Sequence, residues 1–149
     1  MEYATNVGVL NDFFGLGLKS WSKGEYCLKI NPNRLIWFPK MDYIRQGKKV
    51  TGHPDWSNTF FDDSKEIIIT KPLHPNKHIE KNKMDPFYWD SNVEIALFAR
   101  TKNPNGAWEG KYMGIYCFLN GDRPTGERRY KRIEKEINKD SAANWLRRE

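Results

Sequence analysis

The sequence predicts an α+β fold: a small, mostly antiparallel curved sheet or barrel with short flanking helices, in one domain spanning residues 1–149. Three observations carry this. Val93 to Arg100 (VEIALFAR) and Tyr112 to Leu119 (YMGIYCFL) read as strands, and the Pro, Asn and Gly residues of the intervening TKNPNGAWEG predict a hairpin. In the second strand Tyr112, Gly114, Tyr116 and Phe118 face one side while Met113, Ile115, Cys117 and Leu119 face the other. Both faces are therefore covered, as in a small barrel. Short helical patterns stand near the two ends, Val9 to Phe14 and Ala142 to Arg148.

The first of these helices presents Leu10, Phe13 and Phe14 on its apolar side and stops at the glycines of GLGLKSW. Glu25 to Ile30 reads as a strand, Asn31-Pro32-Asn33 as a turn, and Arg34 to Phe38 (RLIWF) as a second strand closed by Pro39. Tyr43 to Val50, with Arg45, Lys48 and Lys49 around a glycine, reads as an exposed connection. In DWSNTFFDDSKEIIIT an acidic turn separates aromatic residues from a strand at Glu66 to Thr70. Lys71 to Asp90, rich in Pro, Asn, Lys and His, reads as a long functional loop or insertion. Gly114 fits the close approach of a ligand, of another backbone, or a barrel bend. The stretch from Glu127 to Ile137 satisfies helical and strand periodicity alike. Asp140 or Ser141 is placed to cap the final helix.

Hydrophobic residues at 38% and charged residues at 30% describe a globular chain. No apolar run approaches the roughly 18 residues of a membrane span, and MEYATNVGVLNDFF lacks the order of a secretory signal. A soluble, cytoplasmic protein without membrane partners is expected. Cys27 and Cys117 sit in apolar segments without a second pair to complete a zinc site, so both are expected as reduced core residues. The formal charge of +6 favours encounter with polyanions. Six tryptophans exceed average usage, and Trp21, Trp56, Trp89 and Trp108 sit beside polar or glycine residues. Each alone fits the rim of a core; together on a basic domain they fit stacking surfaces for bases.

Five strings, LNDFFGLGLKSW, WSNTFFDD, the pair VEIALFAR and GKYMGIYCFL, and RRYKRI, occur in this order across most of the chain. Together they resemble the PUA-like domains, the class containing SRA, EVE and YTH readers, found beside nuclease domains in modification-dependent restriction proteins. The resemblance implies a curved barrel whose open side receives a nucleotide, often flipped from the duplex and held between aromatic side chains. The positions it matches are Trp21, Trp56, Asn58, Asp62, Asp63, Arg100, Gly114 and Tyr116. Residues 71–90 depart from the pattern. Without an attached nuclease, the chain would be a solitary reader or part of a larger protein.

A nucleic-acid-binding module is thus expected, with DNA the preferred partner over RNA, a nuclease domain or protein as a possible second partner, and no cofactor or metal. Trp21, Trp37, Trp56, Tyr112 and Tyr116 are the candidate stacking groups, with Asn58 and Asp63 as partners for a base edge. Asn58 and Asp62 equally fit a turn, and Trp56 the core. Arg100 is placed for phosphate or for pairing with Glu94 or Glu109; Lys48, Lys49, Arg128, Arg129 and Lys131 are candidate backbone contacts.

Two other classes are weighed. Asp85 or Asp90 followed by Glu109-Gly110-Lys111 loosely imitates a metal-dependent nuclease, but Glu109 is expected in a Gly-flanked turn rather than on a strand. His74 and His78 have ligand-like spacing without a third partner. An inhibitor of a nuclease or defence system would suit the tryptophans and arginines, although a DNA mimic would be acidic.

Overall fold

The computed structural model describes residues 2–21, 23–28, 31–74, 86–137 and 139–147. Its elements are β1 (Glu2–Tyr3), α1 (Asn6–Gly8) running into a π-helical turn (Val9–Phe13), β2 (Glu25–Leu28), β3 (Asn31–Trp37), β4 (Tyr43–Arg45) and β5 (Lys48–Val50). There follow β6 (Trp56–Phe60), β7 (Ile67–Pro72), a 3-10 turn (Pro86–Trp89), β8 (Glu94–Lys102), β9 (Trp108–Asp122), β10 (Glu127–Glu134) and α2 (Lys139–Arg147). The main sheet runs β2-β3-β8-β9-β10-β7-β6, with β1 added on β9. All of these pairs are antiparallel except β3 on β8, so the sheet is mixed.

The expected hairpin is present and longer than the pattern suggests. The Asn103 side chain accepts the backbone N–H groups of Asn105 and Ala107, which tightens the connection and lets pairing run on to Lys102 opposite Trp108. Glu109 accordingly lies on β9 opposite Thr101, not in a turn, and accepts a 2.8 Å hydrogen bond from Asn103. Asn31-Pro32-Asn33 is likewise part of a strand, because Leu28 pairs with Asn31 and carries the ladder past the expected turn. Tyr43 to Val50 forms a hairpin of its own around Gln46 and Gly47, whose φ values of 52° and 75° give the two left-handed positions of a tight primed turn.

The ambiguous tail is a strand as far as Glu134, held by β7 and β9. The helix after it starts at Lys139, so Asp140 and Ser141 lie inside its first turn instead of capping it. Of the expected long loop, Lys71 and Pro72 finish β7 and Pro86–Trp89 is helical; residues 75–85, with His78 and Asp85, lie outside the described residues.

The open ends of this curved sheet are drawn together by the main chain after β3. Arg100 donates its N–H to Pro39 O (2.7 Å) and receives that of Met41 (2.8 Å), while Asp42 N–H reaches Asn58 O (2.9 Å). Residues 39–42 thus join β8 to β6. Inside the curve lie Leu35, Ile68, Ile95, Leu97, Tyr116 and Tyr130; outside it, α1, the π-helical turn and α2 cover Ile36, Ala96, Phe98 and Ile115 with Leu10, Phe13, Phe14 and Leu146. These two layers account for the strands coated on both faces.

Gly114 sits where β9 bends, with register shifts on both neighbouring ladders. At φ 129° a Cβ there would stand 2.7 Å from Glu134 O, so the close approach is made by β10 and not by a ligand. Cys27 and Cys117 are half-buried rather than fully buried, and burial raises both thiols above their ordinary pKa.

Candidate nucleic-acid interface

A cleft of about 730 Å³ opens where the β3 end, the β6 start and the first loop meet. That volume falls within the range of about 300–1,000 Å³ usual for ligand sites. Its aromatic lining includes Trp21, Trp37, Trp56 and Tyr88, and among the described residues its cations are Lys23, Lys40, Arg100 and Arg128, against one carboxylate, Glu25. Six of the sequence candidates therefore converge here: Trp21, Trp37, Trp56, Asn58, Arg100 and Arg128.

Each ring is placed by its own element. Trp21 donates its indole N–H to Glu25 O (3.1 Å) and meets Tyr26 edge-on at 4.9 Å. Trp37, the last residue of β3, meets Tyr130 edge-on at 5.5 Å. Trp56 opens β6 opposite Pro72 and carries the Arg128 guanidinium 5.2 Å from its ring. All three indoles are half-buried, which leaves part of each ring accessible.

The polar candidates divide. Asn58 is 4% exposed; it donates to Lys40 O (3.0 Å) and accepts from the Thr70 hydroxyl (2.7 Å). Its carboxamide binds residues 39–42 to β6 and β7, so it shapes the cleft wall. Arg100 pairs with neither Glu94 nor Glu109: it donates to Asn6 Oδ1 (2.7 Å) and Ala4 O (3.2 Å), in the segment that follows β1, and Glu94 is taken by Arg34 at 2.9 Å. Burial lowers its pKa.

The remaining candidates lie elsewhere. Asp63 is exposed in the turn after β6, where neighbouring Asp62 accepts from the backbone and hydroxyl of Ser64. Tyr116 is fully buried, donates its hydroxyl to Lys65 O, and is pushed up to about 12 mainly by burial. Tyr112 stacks on Phe13 at 5.6 Å beneath the helical layer. Both tyrosines are packing residues because β9 runs through the middle of the sheet. Lys48 and Lys49 are exposed on the β4–β5 hairpin, Lys49 3.5 Å from Asp42. Arg129, 3.9 Å from Glu127, and exposed Lys131 stand on β10.

Trp89 and Trp108 are outside the cleft. Trp89 packs on Phe118 beneath Arg123, and Trp108 forms a cluster with Tyr43, Lys40 and Lys102. Sequence reasoning missed Tyr88, Lys23, Lys40 and His53, which also lines the cleft and accepts Asp55 N–H at Nδ1 (3.0 Å). Only the basic or aromatic neighbours of Trp21, Pro39 and Trp89 hinted at them. Among the described residues, no three His, Cys, Asp or Glu side chains are grouped to hold a metal ion, and no helix is long and apolar enough to cross a membrane.

Comparison with known proteins bears on this geometry. The family model of the SET and RING associated (SRA) domain matches residues 1–139. Among solved structures, the 5-hydroxymethylcytosine-specific restriction enzyme AbaSI superposes with a TM-score of 0.70 at 24% identity, over 93% of this chain. This chain spans 40% of the length of that enzyme chain. No curated protein matches.

Proposed function

The chain belongs to the SRA domain family, a PUA-like group of DNA-binding modules that read modified bases, and on that premise we propose that its cleft receives one base displaced from a duplex and reads its modification. The observation that carries this reading is the convergence of Trp21, Trp37, Trp56 and Tyr88 with Arg100 and Arg128 in one concavity. Stacking on an aromatic face is worth about 1–3 kcal/mol per base, and the positive walls attract the backbone on either side. DNA is the partner, in preference to RNA. Lys48, Arg129 and Lys131, exposed or half-buried outside the cleft, are left to sequence-independent phosphate contacts.

The work of this domain is binding, not catalysis. By the likeness in fold to a restriction enzyme, it acts in company with a nuclease domain, which it directs to modified DNA. The test is a binding panel of unmodified, methylated, hydroxymethylated and glucosylated duplexes, with single-stranded DNA and RNA, at several salt concentrations. One modified duplex is expected to bind at least tenfold more tightly than the unmodified one and to quench tryptophan fluorescence. Affinity should fall steeply with salt for every duplex. Uniform affinity across the panel contradicts base reading.

A further inference from the structure

Among the described residues that line the cleft, Arg100 leaves one buried guanidinium nitrogen, Nε, without an acceptor, and Arg128 leaves two. Arg128 stands on β10 opposite Thr70, and its residue is 5% exposed. The guanidinium carbon lies 5.0 Å from the Tyr88 ring, 5.2 Å from Trp56 and 6.0 Å from Tyr130. Its Nε and Nη1 atoms are buried and meet no hydrogen-bond acceptor among the described residues.

A buried cation without an anion is costly, and aromatic faces compensate only part of that cost. Rings interact with the face of a guanidinium, whereas its N–H bonds lie in its plane. The missing partner must therefore approach in that plane and supply oxygen acceptors. A neutral base edge could accept the hydrogen bonds but would leave the charge uncompensated, with Lys23, Lys40 and Arg100 adding to the positive field of the same cleft. An anionic oxygen group satisfies both needs, since charge-assisted hydrogen bonds to guanidinium are the strong ones.

We propose that Arg128 is the anion-recognition group of the cleft, and that the occupant brings a negatively charged oxygen group into the plane of its guanidinium, against a nitrogen that the described residues leave without an acceptor, from either a phosphate of the displaced nucleotide or a carboxylate on its base. This rests on the cleft being the nucleotide site.

The experiment compares tryptophan quenching of the full chain by deoxycytidine, deoxycytidine 5′-monophosphate and 5-carboxydeoxycytidine, in the wild type, Arg128→Gln and Arg128→Lys. One anionic ligand is expected to bind about tenfold or more tightly than the nucleoside. That advantage should shrink below about threefold in Arg128→Gln and persist in part in Arg128→Lys. A gain with the monophosphate alone assigns the phosphate, and a gain with the carboxylated nucleoside alone assigns the base. Thermal melting identifies a variant that fails to fold, in which case Arg128→Lys and the wild-type comparison decide. Equal binding of all three ligands, binding of none, or an advantage that survives Arg128→Gln overturns the proposal. If duplex binding persists in those cases, the nucleotide-site reading stands and only the role of Arg128 fails.

Discussion

The Trp37→Ala/Trp56→Ala double variant is expected to bind the preferred modified duplex roughly 30- to 150-fold more weakly than the wild type, through loss of about 2–3 kcal/mol of stacking. Both indoles line the cleft, and both are only half-buried, so their removal strips aromatic surface from the site instead of emptying the interior. Trp37 also meets Tyr130 edge-on, which makes a modest loss of stability part of the expected result. The corresponding Trp→Phe double variant keeps a ring at each position and should retain most of the affinity. Binding to unmodified duplex, which depends on phosphate contacts, should change little. A titration in which the alanine variant loses less than about threefold contradicts the placement of the base between these walls.

Asn58→Ala is expected to lower unfolding stability by about 2–4 kcal/mol, because two buried groups lose their partners at once. The Thr70 hydroxyl would have no acceptor and the Lys40 carbonyl no donor at a position that is 4% exposed. The change also loosens residues 39–42, which carry Pro39 and Lys40 into the cleft wall, so DNA affinity should fall as a consequence of lost shape. Thr70→Val removes one of the two hydrogen bonds and should cost about half as much. Denaturant unfolding measures both. A cost under about 1 kcal/mol for Asn58→Ala would mean that the seam between β6 and β8 is held by its backbone bonds alone.

The sequence carried the fold where periodicity and turn chemistry agree. VEIALFAR and YMGIYCFL are strands because alternation and flanking Pro, Asn and Gly point the same way. Residues 127–134 were undecidable because Tyr130, Ile133 and Ile137 fit both periods; the β7 and β9 ladders decide for strand. Local pattern could not see that Asn103 would shorten its loop and bring Glu109 onto β9.

For the cleft, residue type was informative and distance was not. Indoles set among polar neighbours were legible as candidates, and Trp21, Trp37 and Trp56 do meet across 35 residues of chain. Tyr112 and Tyr116 looked equivalent to them because a strand buried on both faces reads like a half-exposed aromatic strand. Arg128 looked like one more surface cation beside Arg129. Only the tertiary packing of Trp56 and Tyr88 around it makes it a buried one.

The crystal structure of the domain bound to its preferred duplex tests the central claim most directly. The account predicts one base outside the helical stack, in van der Waals contact with Trp37 or Trp56 and with its nucleotide reaching Arg128. A duplex whose bases all remain stacked, held by the β4–β5 hairpin and β10 while the cleft stays open, would contradict it.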